Sequence, residues 1–175
     1  MQGPSTVITD PSTGKERTFT FDYSFWSHDE FTEESNGLLV AGPDGRYADQ
    51  QSVYNKLGTE VLDNAWDGYH CCLFAYGQTG SGKSYSMIGY GPNKGIVPIA
   101  TTEIFERIKR TTTETKWYEV SVSMLEIYNE KVQDLIVHPD NRPGKGLSIR
   151  QSKLLGVYVQ DLSKHLSSTR VDIQL

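Results

Sequence analysis

The spacing of apolar and polar positions changes along the chain, and each change predicts an element. Thr6-Val7-Ile8 and Arg17-Thr18-Phe19-Thr20-Phe21 are short strand-like runs on either side of Asp10-Pro11-Ser12-Thr13-Gly14, a turn composition, and predict a β-hairpin. Residues 29–50 carry Glu30, Glu33, Glu34, Asn36, Gly37, Gly42, Pro43, Asp44 and Gly45, which predicts a long exposed loop. From Asp49 to Trp66, Val53, Tyr54, Leu57, Val61, Leu62 and Ala65 recur at steps of three and four, the stripe of an amphipathic helix ending near Gly68. Cys71 to Tyr76 follow as a continuous apolar run and predict a buried strand.

Beyond a glycine-rich stretch at 77–82, Lys83-Ser84-Tyr85-Ser86-Met87 reads as a helix, interrupted by Gly89, Gly91, Pro92, Asn93 and Gly95. Pro98 is suited to open another helix, in which Ile104, Phe105 and Ile108 share a face. Between Trp117 and Glu126 the period drops to two: Tyr118, Val120, Val122 and Met124 alternate with Ser121 and Ser123, a strand expected to join the same sheet. Leu147-Ser148-Ile149-Arg150 and Val157-Tyr158-Val159 predict a second hairpin around Gln151–Gly156, and the polar tail from Ser163 to Leu175 is suited to begin a helix. No repeat or low-complexity tract occurs.

At 175 residues, 37% hydrophobic and 22% charged, the chain has room for one α/β domain with a real core. A net charge of −5 with a pI near 5.3 gives no general basic field for nucleic acid or an anionic membrane. The cationic stretches, Arg107-Ile108-Lys109-Arg110 and the spaced Arg142, Lys145, Arg150 and Lys153, read as solvated charges. The first residues have no secretory-leader pattern and no segment approaches a transmembrane length, so a soluble intracellular protein is expected. Cys71 and Cys72 are adjacent in the predicted strand, point to opposite faces and are expected as core thiols. His28, His70, His138 and His165 are too scattered for a ligand set, so no structural metal is expected.

The candidate chemistry lies at Gly77-Gln78-Thr79-Gly80-Ser81-Gly82-Lys83-Ser84, which fits G-x-x-x-x-G-K-[ST], a phosphate-binding loop between a strand and a helix. The glycines allow positive φ, so backbone N–H groups turn inward as an anion nest. Lys83 supplies a mobile cation for β- and γ-phosphates, and Ser84 offers a hydroxyl to Mg²⁺. Hydrolysis also needs a metal-side carboxylate and a γ-phosphate sensor. Glu126, Asp134 and Asp161 follow apolar runs, but none sits in a D-x-x-G context, so all three read as structural.

Taken in order, several segments resemble the kinesin motor domain. They are Phe19-Thr20-Phe21-Asp22-Tyr23-Ser24-Phe25-Trp26-Ser27-His28, Gln51-Ser52-Val53-Tyr54, Gly68-Tyr69-His70, Phe74 through Met87, Gly95-Ile96-Val97-Pro98, Leu125 through Leu135, Leu147 through Arg150 and Gly156 through Leu162. The first of these, with Gly82-Lys83-Ser84-Tyr85, most resembles the third, cargo-transporting subfamily. The resemblance implies an ATP-driven motor on microtubules, cytoplasmic and cytoskeletal, with a three-layer P-loop NTPase core: a central, mostly parallel sheet flanked by helices. It also implies truncation. The family's first strand with Arg-x-Arg-Pro, both switch segments (Asn-x-x-Ser-Ser-Arg-Ser-His and Asp-x-x-Gly-Ser-Glu), the main microtubule-binding helix and the neck linker have no counterpart within residues 1–175.

Carried over position by position, the resemblance makes Gln78 to Ser84 the ATP/ADP phosphate cradle and Lys83 its lysine. Ser84 becomes the Mg²⁺ hydroxyl and Tyr85 an aromatic near the base, while Arg150 and Lys153 fall in a segment that touches tubulin. Tyr85 reads equally well as a core aromatic. For the intact protein the expectation is a microtubule-stimulated ATPase with no nucleic-acid partner. For residues 1–175 alone, a nucleotide-binding module without motor or ATPase activity is the alternative. A generic phosphate-loop kinase or small GTPase is disfavoured, since no Asn-Lys-x-Asp guanine signature occurs.

Overall fold

The computed structural model describes residues 3–43 and 45–167. The chain forms two compact units that divide between Glu106 and Arg107. In the first, β1 (Ser5–Thr9) and β2 (Glu16–Thr20) pair antiparallel from Ser5↔Thr20 to Thr9↔Glu16. Asp10 locks their turn: its carboxylate accepts from both the backbone N–H and the hydroxyl of Ser12, and its carbonyl accepts from Gly14 N–H. The predicted hairpin is present with nearly the expected limits.

Residues 29–50 are more ordered than a long loop. β3 (Phe31–Glu33) and β4 (Leu39–Ala41) pair antiparallel around Gly37. Their ladder was hidden because three-residue strands hold too few positions to show a period.

The helical stripe from Asp49 to Trp66 is one continuous run with a defect in it. α1 (Gln50–Val53) passes into a π-helical turn, Tyr54–Gly58, and then into α2 (Thr59–Trp66). Asp49 caps the start by accepting from Ser52 N–H at 2.7 Å, and Gly68 at φ 94° ends it, as the sequence predicts. Tyr54 and Leu62 of this stripe are buried; with Tyr47 and Ile96 they form the apolar core of this unit.

Cys71 to Tyr76 do not form the expected buried strand. None of these residues has a ladder partner among the described residues, and Phe74 and Tyr76 are 80% and 95% exposed. Both cysteines are exposed as well, which corrects their reading as core thiols. An apolar run becomes a buried strand only when other strands and helices cover it, and none does so here.

α3 (Lys83–Met87) is followed by the tight pair β5 (Gly89–Tyr90) and β6 (Asn93–Lys94), and α4 (Ile96–Thr111) starts two residues before Pro98. In the second unit, the run 117–126 breaks into β7 (Val120–Val122) and β8 (Leu125–Tyr128). Its period of two survives: Tyr118, Val120, Val122 and Met124 are half-buried, with exposed residues between them. β8 pairs with β9 (Lys131–Asp134) across Asn129 and Glu130, both at positive φ. β10 (Ile149–Ser152) and β11 (Gly156–Val159) form the second predicted hairpin, with Ile149↔Val159 in register.

The expected helix from Ser163 is corrected in its described part, where β12 (His165–Ser167) pairs antiparallel with β7. Residues 168–175 lie outside the described residues. All six strand pairs among the described residues are two-stranded antiparallel ribbons.

Candidate functional site

The predicted loop closes over its own lysine. Gly77, Gly80 and Gly82 stand at φ 152°, 80° and 91°, in the region that favours glycine. Nothing lies within 4 Å of where a Cβ would stand on Gly80 or Gly82, whereas one on Gly77 would press on Ser81 Oγ. Ser81 N–H donates to the Gln78 carbonyl at 3.1 Å, tightening the turn, and Gly82 in the left-handed region opens α3. Residues 77–82 and Ser84 are exposed and Lys83 is half-buried, so the cradle faces outward.

Lys83 Nζ donates to the Gly77 carbonyl at 2.8 Å and to the Gln78 carbonyl at 2.7 Å. The ammonium is thereby drawn across the loop it would share with an anion. Ser84 lies beside it in the first turn of α3, and its carbonyl accepts from Ile88 N–H. An outward cradle with open glycine positions, a lysine at its edge and an exposed hydroxyl fits a phosphate chain with its divalent cation.

Tyr85 points elsewhere. Its ring packs against Tyr90 with centroids 6.0 Å apart, and it neighbours Tyr47, whose phenol is pushed well above its usual range by burial, then by the Tyr85 hydroxyl. Tyr85 is half-buried between the buried Tyr47 and the exposed Tyr90.

Two residues that sequence reasoning passed over hold α3 in place. Gln50, at the start of α1, donates from Nε2 to the Tyr85 carbonyl at 2.6 Å. Asn93, the first residue of β6, joins the β3–β4 hairpin through Leu39 N–H and the Gly37 carbonyl, both at 2.9 Å. Asn93 sits in Gly91-Pro92-Asn93-Lys94-Gly95, where asparagine reads as a turn former, so its buried role left no local signal.

Arg150 and Lys153 share one hairpin of the second unit. Arg150 lies in β10 and donates from Nε to Gln160 Oε1 at 3.0 Å, while Lys153 begins the turn to β11. Leu154 and Leu155 complete this exposed turn. Asp134, only 2% exposed, accepts from Ser163 N–H at 2.7 Å and from Ile136 N–H at 2.9 Å. Its carboxylate is thus a fastener between chain segments, consistent with its structural reading. Glu126 and Asp161 are exposed.

A glycine-built phosphate loop opening a helix defines the class: a P-loop nucleotide-binding fold. The kinesin motor domain family matches residues 3–174, and the chain belongs to that family. It is 48% identical to Kinesin-related protein 1 of Dictyostelium discoideum over 94% of this chain and 8% of that protein. It is 43% identical to Kinesin-like protein KIF1A of Rattus norvegicus over 99% of this chain and 10% of that protein. The chain therefore spans about a tenth of the length of these curated relatives. Among solved structures it resembles KIF14 with ADP in complex with a microtubule, at a TM-score of 0.84 and 37% identity. That match covers 99% of this chain and 45% of the KIF14 chain. The fold is thus that of part of a kinesin motor domain, as the sequence resemblance implied, although the central, mostly parallel sheet it also implied is not formed among the described residues, whose strands pair only as antiparallel ribbons.

Proposed function

We propose that residues 1–175 are the nucleotide-binding part of a microtubule motor, with ATP or ADP phosphates held by Gly77 to Ser84. The observation that carries this is Lys83, whose ammonium spans the loop between glycines fixed at positive φ. Lys83 would exchange its bonds to the Gly77 and Gln78 carbonyls for the β- and γ-phosphates. The Ser84 hydroxyl would ligate Mg²⁺, which supplies charge neutralisation at the phosphates when bound. Tyr85 contributes by seating α3 against Tyr90, and base stacking by Tyr85 is the weaker part of the assignment.

In the intact protein, hydrolysis drives movement along microtubules in the cytoplasm, and residues 1–175 form one part of the motor domain. KIF14, the structural relative bound to a microtubule, supports that partner. Arg150 and Lys153 would offer their charges to the acidic tubulin surface from the β10–β11 hairpin. A second reading, nucleotide binding without hydrolysis by residues 1–175 alone, is favoured by Asp134, whose carboxylate is committed to Ser163 and Ile136.

Phosphate release by the full-length protein, with and without microtubules, tests the proposal. Stimulation by microtubules that Lys83→Ala abolishes supports the motor reading. Release that microtubules leave unchanged sinks it.

A further inference from the structure

We propose that Gln50 and Asn93 are positioning residues for the phosphate loop, carrying the placement of the β3–β4 hairpin to the helix that bears Lys83 and Ser84. This rests on the reading of residues 77–84 as a phosphate cradle.

α3 has only five residues, so most of its carbonyls lack an intrahelical partner. Gln50 supplies one for Tyr85, two positions beyond Lys83, at 2.6 Å. In so short a helix, displacing the Tyr85 carbonyl displaces the lysine. Gln50 is itself fixed by the Asp49 cap of α1, and its Nε2 reaches a second acceptor, the Asn93 carbonyl, at 3.5 Å. The Asn93 side chain accepts from Leu39 N–H and donates to the Gly37 carbonyl, imitating a strand neighbour across more than fifty residues of sequence.

Gln50 and Asn93 are 8% and 9% exposed. A buried amide is costly unless its hydrogen bonds are made, so the pair tolerates few alternative arrangements. The hydrogen-bonded series Gly37/Leu39, Asn93, Gln50, Tyr85 joins a hairpin distant in sequence to the loop's helix entirely through buried amides and backbone. No apolar pair of similar volume would fix the same register.

The experiment is the dissociation rate of fluorescent ADP from the full-length protein, together with its melting temperature. Gln50→Leu and Asn93→Ala should each speed release about 5-fold, the scale of one lost hydrogen bond. Asn93→Asp keeps the acceptor for Leu39 but sets a carboxylate oxygen against the Gly37 carbonyl, and should release ADP at least as fast as Asn93→Ala. The double variant should release ADP less fast than the product of the single effects, because both act through one series. Thr101→Val removes a buried hydrogen bond to the Val97 carbonyl in α4 and controls for mere destabilisation. It should lower melting with ADP release unchanged.

If Gln50→Leu and Asn93→Ala lower melting but release ADP at the parent rate, the pair is only a structural staple and the inference is overturned. If the parent itself shows no Lys83-dependent ADP retention, the phosphate-cradle reading fails first and takes this inference with it. The two failures are separated by which protein shows them.

Discussion

The Lys83 ammonium lies 2.7 Å from the Gln78 carbonyl oxygen, so the cation expected to meet phosphate is held on the backbone of its own loop. Its second acceptor, the Gly77 carbonyl, belongs to the glycine whose Cβ position is blocked by Ser81. The loop is therefore shaped before an anion arrives, and an anion has only to compete for the lysine. Gly77 lacks space for a side chain, whereas at Gly80 and Gly82 the backbone conformation rather than the space is the sensitive feature.

Gly82 tests this. A Cβ there would meet nothing within 4 Å, yet φ is 91°. Gly82→Ala should lower stability by about 1–2 kcal/mol through backbone strain alone. Gly82→Asn, which enters the left-handed region more readily, should recover part of that loss. Urea unfolding of both variants decides between strain and clash.

Gly58 is the opposite case. It lies in the π-helical turn, and a Cβ would run into the Tyr54 ring. Gly58→Ala should destabilise by about 1–3 kcal/mol through overpacking. Adding Tyr54→Leu should lessen the penalty, so a double-variant cycle in urea would show coupling between the two positions.

Asp134 links stability to acid. Burial raises its pKa, but the N–H and hydroxyl of Ser163, with the N–H groups of Ile136 and Val137, outweigh burial and leave it below the ordinary 3.8. A carboxylate with a depressed folded-state pKa stabilises the fold above its unfolded value and loses that contribution as pH falls through the folded one. Stability should therefore drop below about pH 4, and Asp134→Asn should be less stable at pH 6 with a shallower fall into acid. Urea midpoints at pH 6 and pH 3 check both signs.

Arg150 and Lys153 are exposed, so reversing their charges should barely change folding. Arg150→Glu with Lys153→Glu should weaken microtubule co-sedimentation of the full-length protein about 5-fold at low salt and less at high salt. Binding of ADP should be unaffected. Equal co-sedimentation at every salt concentration would remove this hairpin from the microtubule interface.

What the sequence revealed was local. The 5–20 and 149–159 hairpins were legible because turn residues such as Asp10, Gly14 and Gly156 sit between strand-like runs. The alternation at Tyr118, Val120, Val122 and Met124 was legible because burial follows side-chain direction. The positive φ of Gly77, Gly80 and Gly82 was legible because the pattern of glycines at 77–82 calls for that backbone conformation. What escaped depends on distant partners. Cys71 to Tyr76 has the composition of a central strand, but none of these residues has a ladder partner among the described residues, and composition alone does not supply one. The Tyr54–Gly58 turn escaped because an apolar stripe does not distinguish one helical pitch from another over five residues. Gln50 and Asn93 escaped because buried amides bonded to backbone have no sequence period.

The central claim is that residues 77–84 hold nucleotide phosphates through Lys83, and a titration with fluorescent ADP and Mg²⁺ tests it most directly. Saturable binding that Lys83→Ala abolishes is the predicted result. Binding of equal affinity in the parent and Lys83→Ala would contradict the claim.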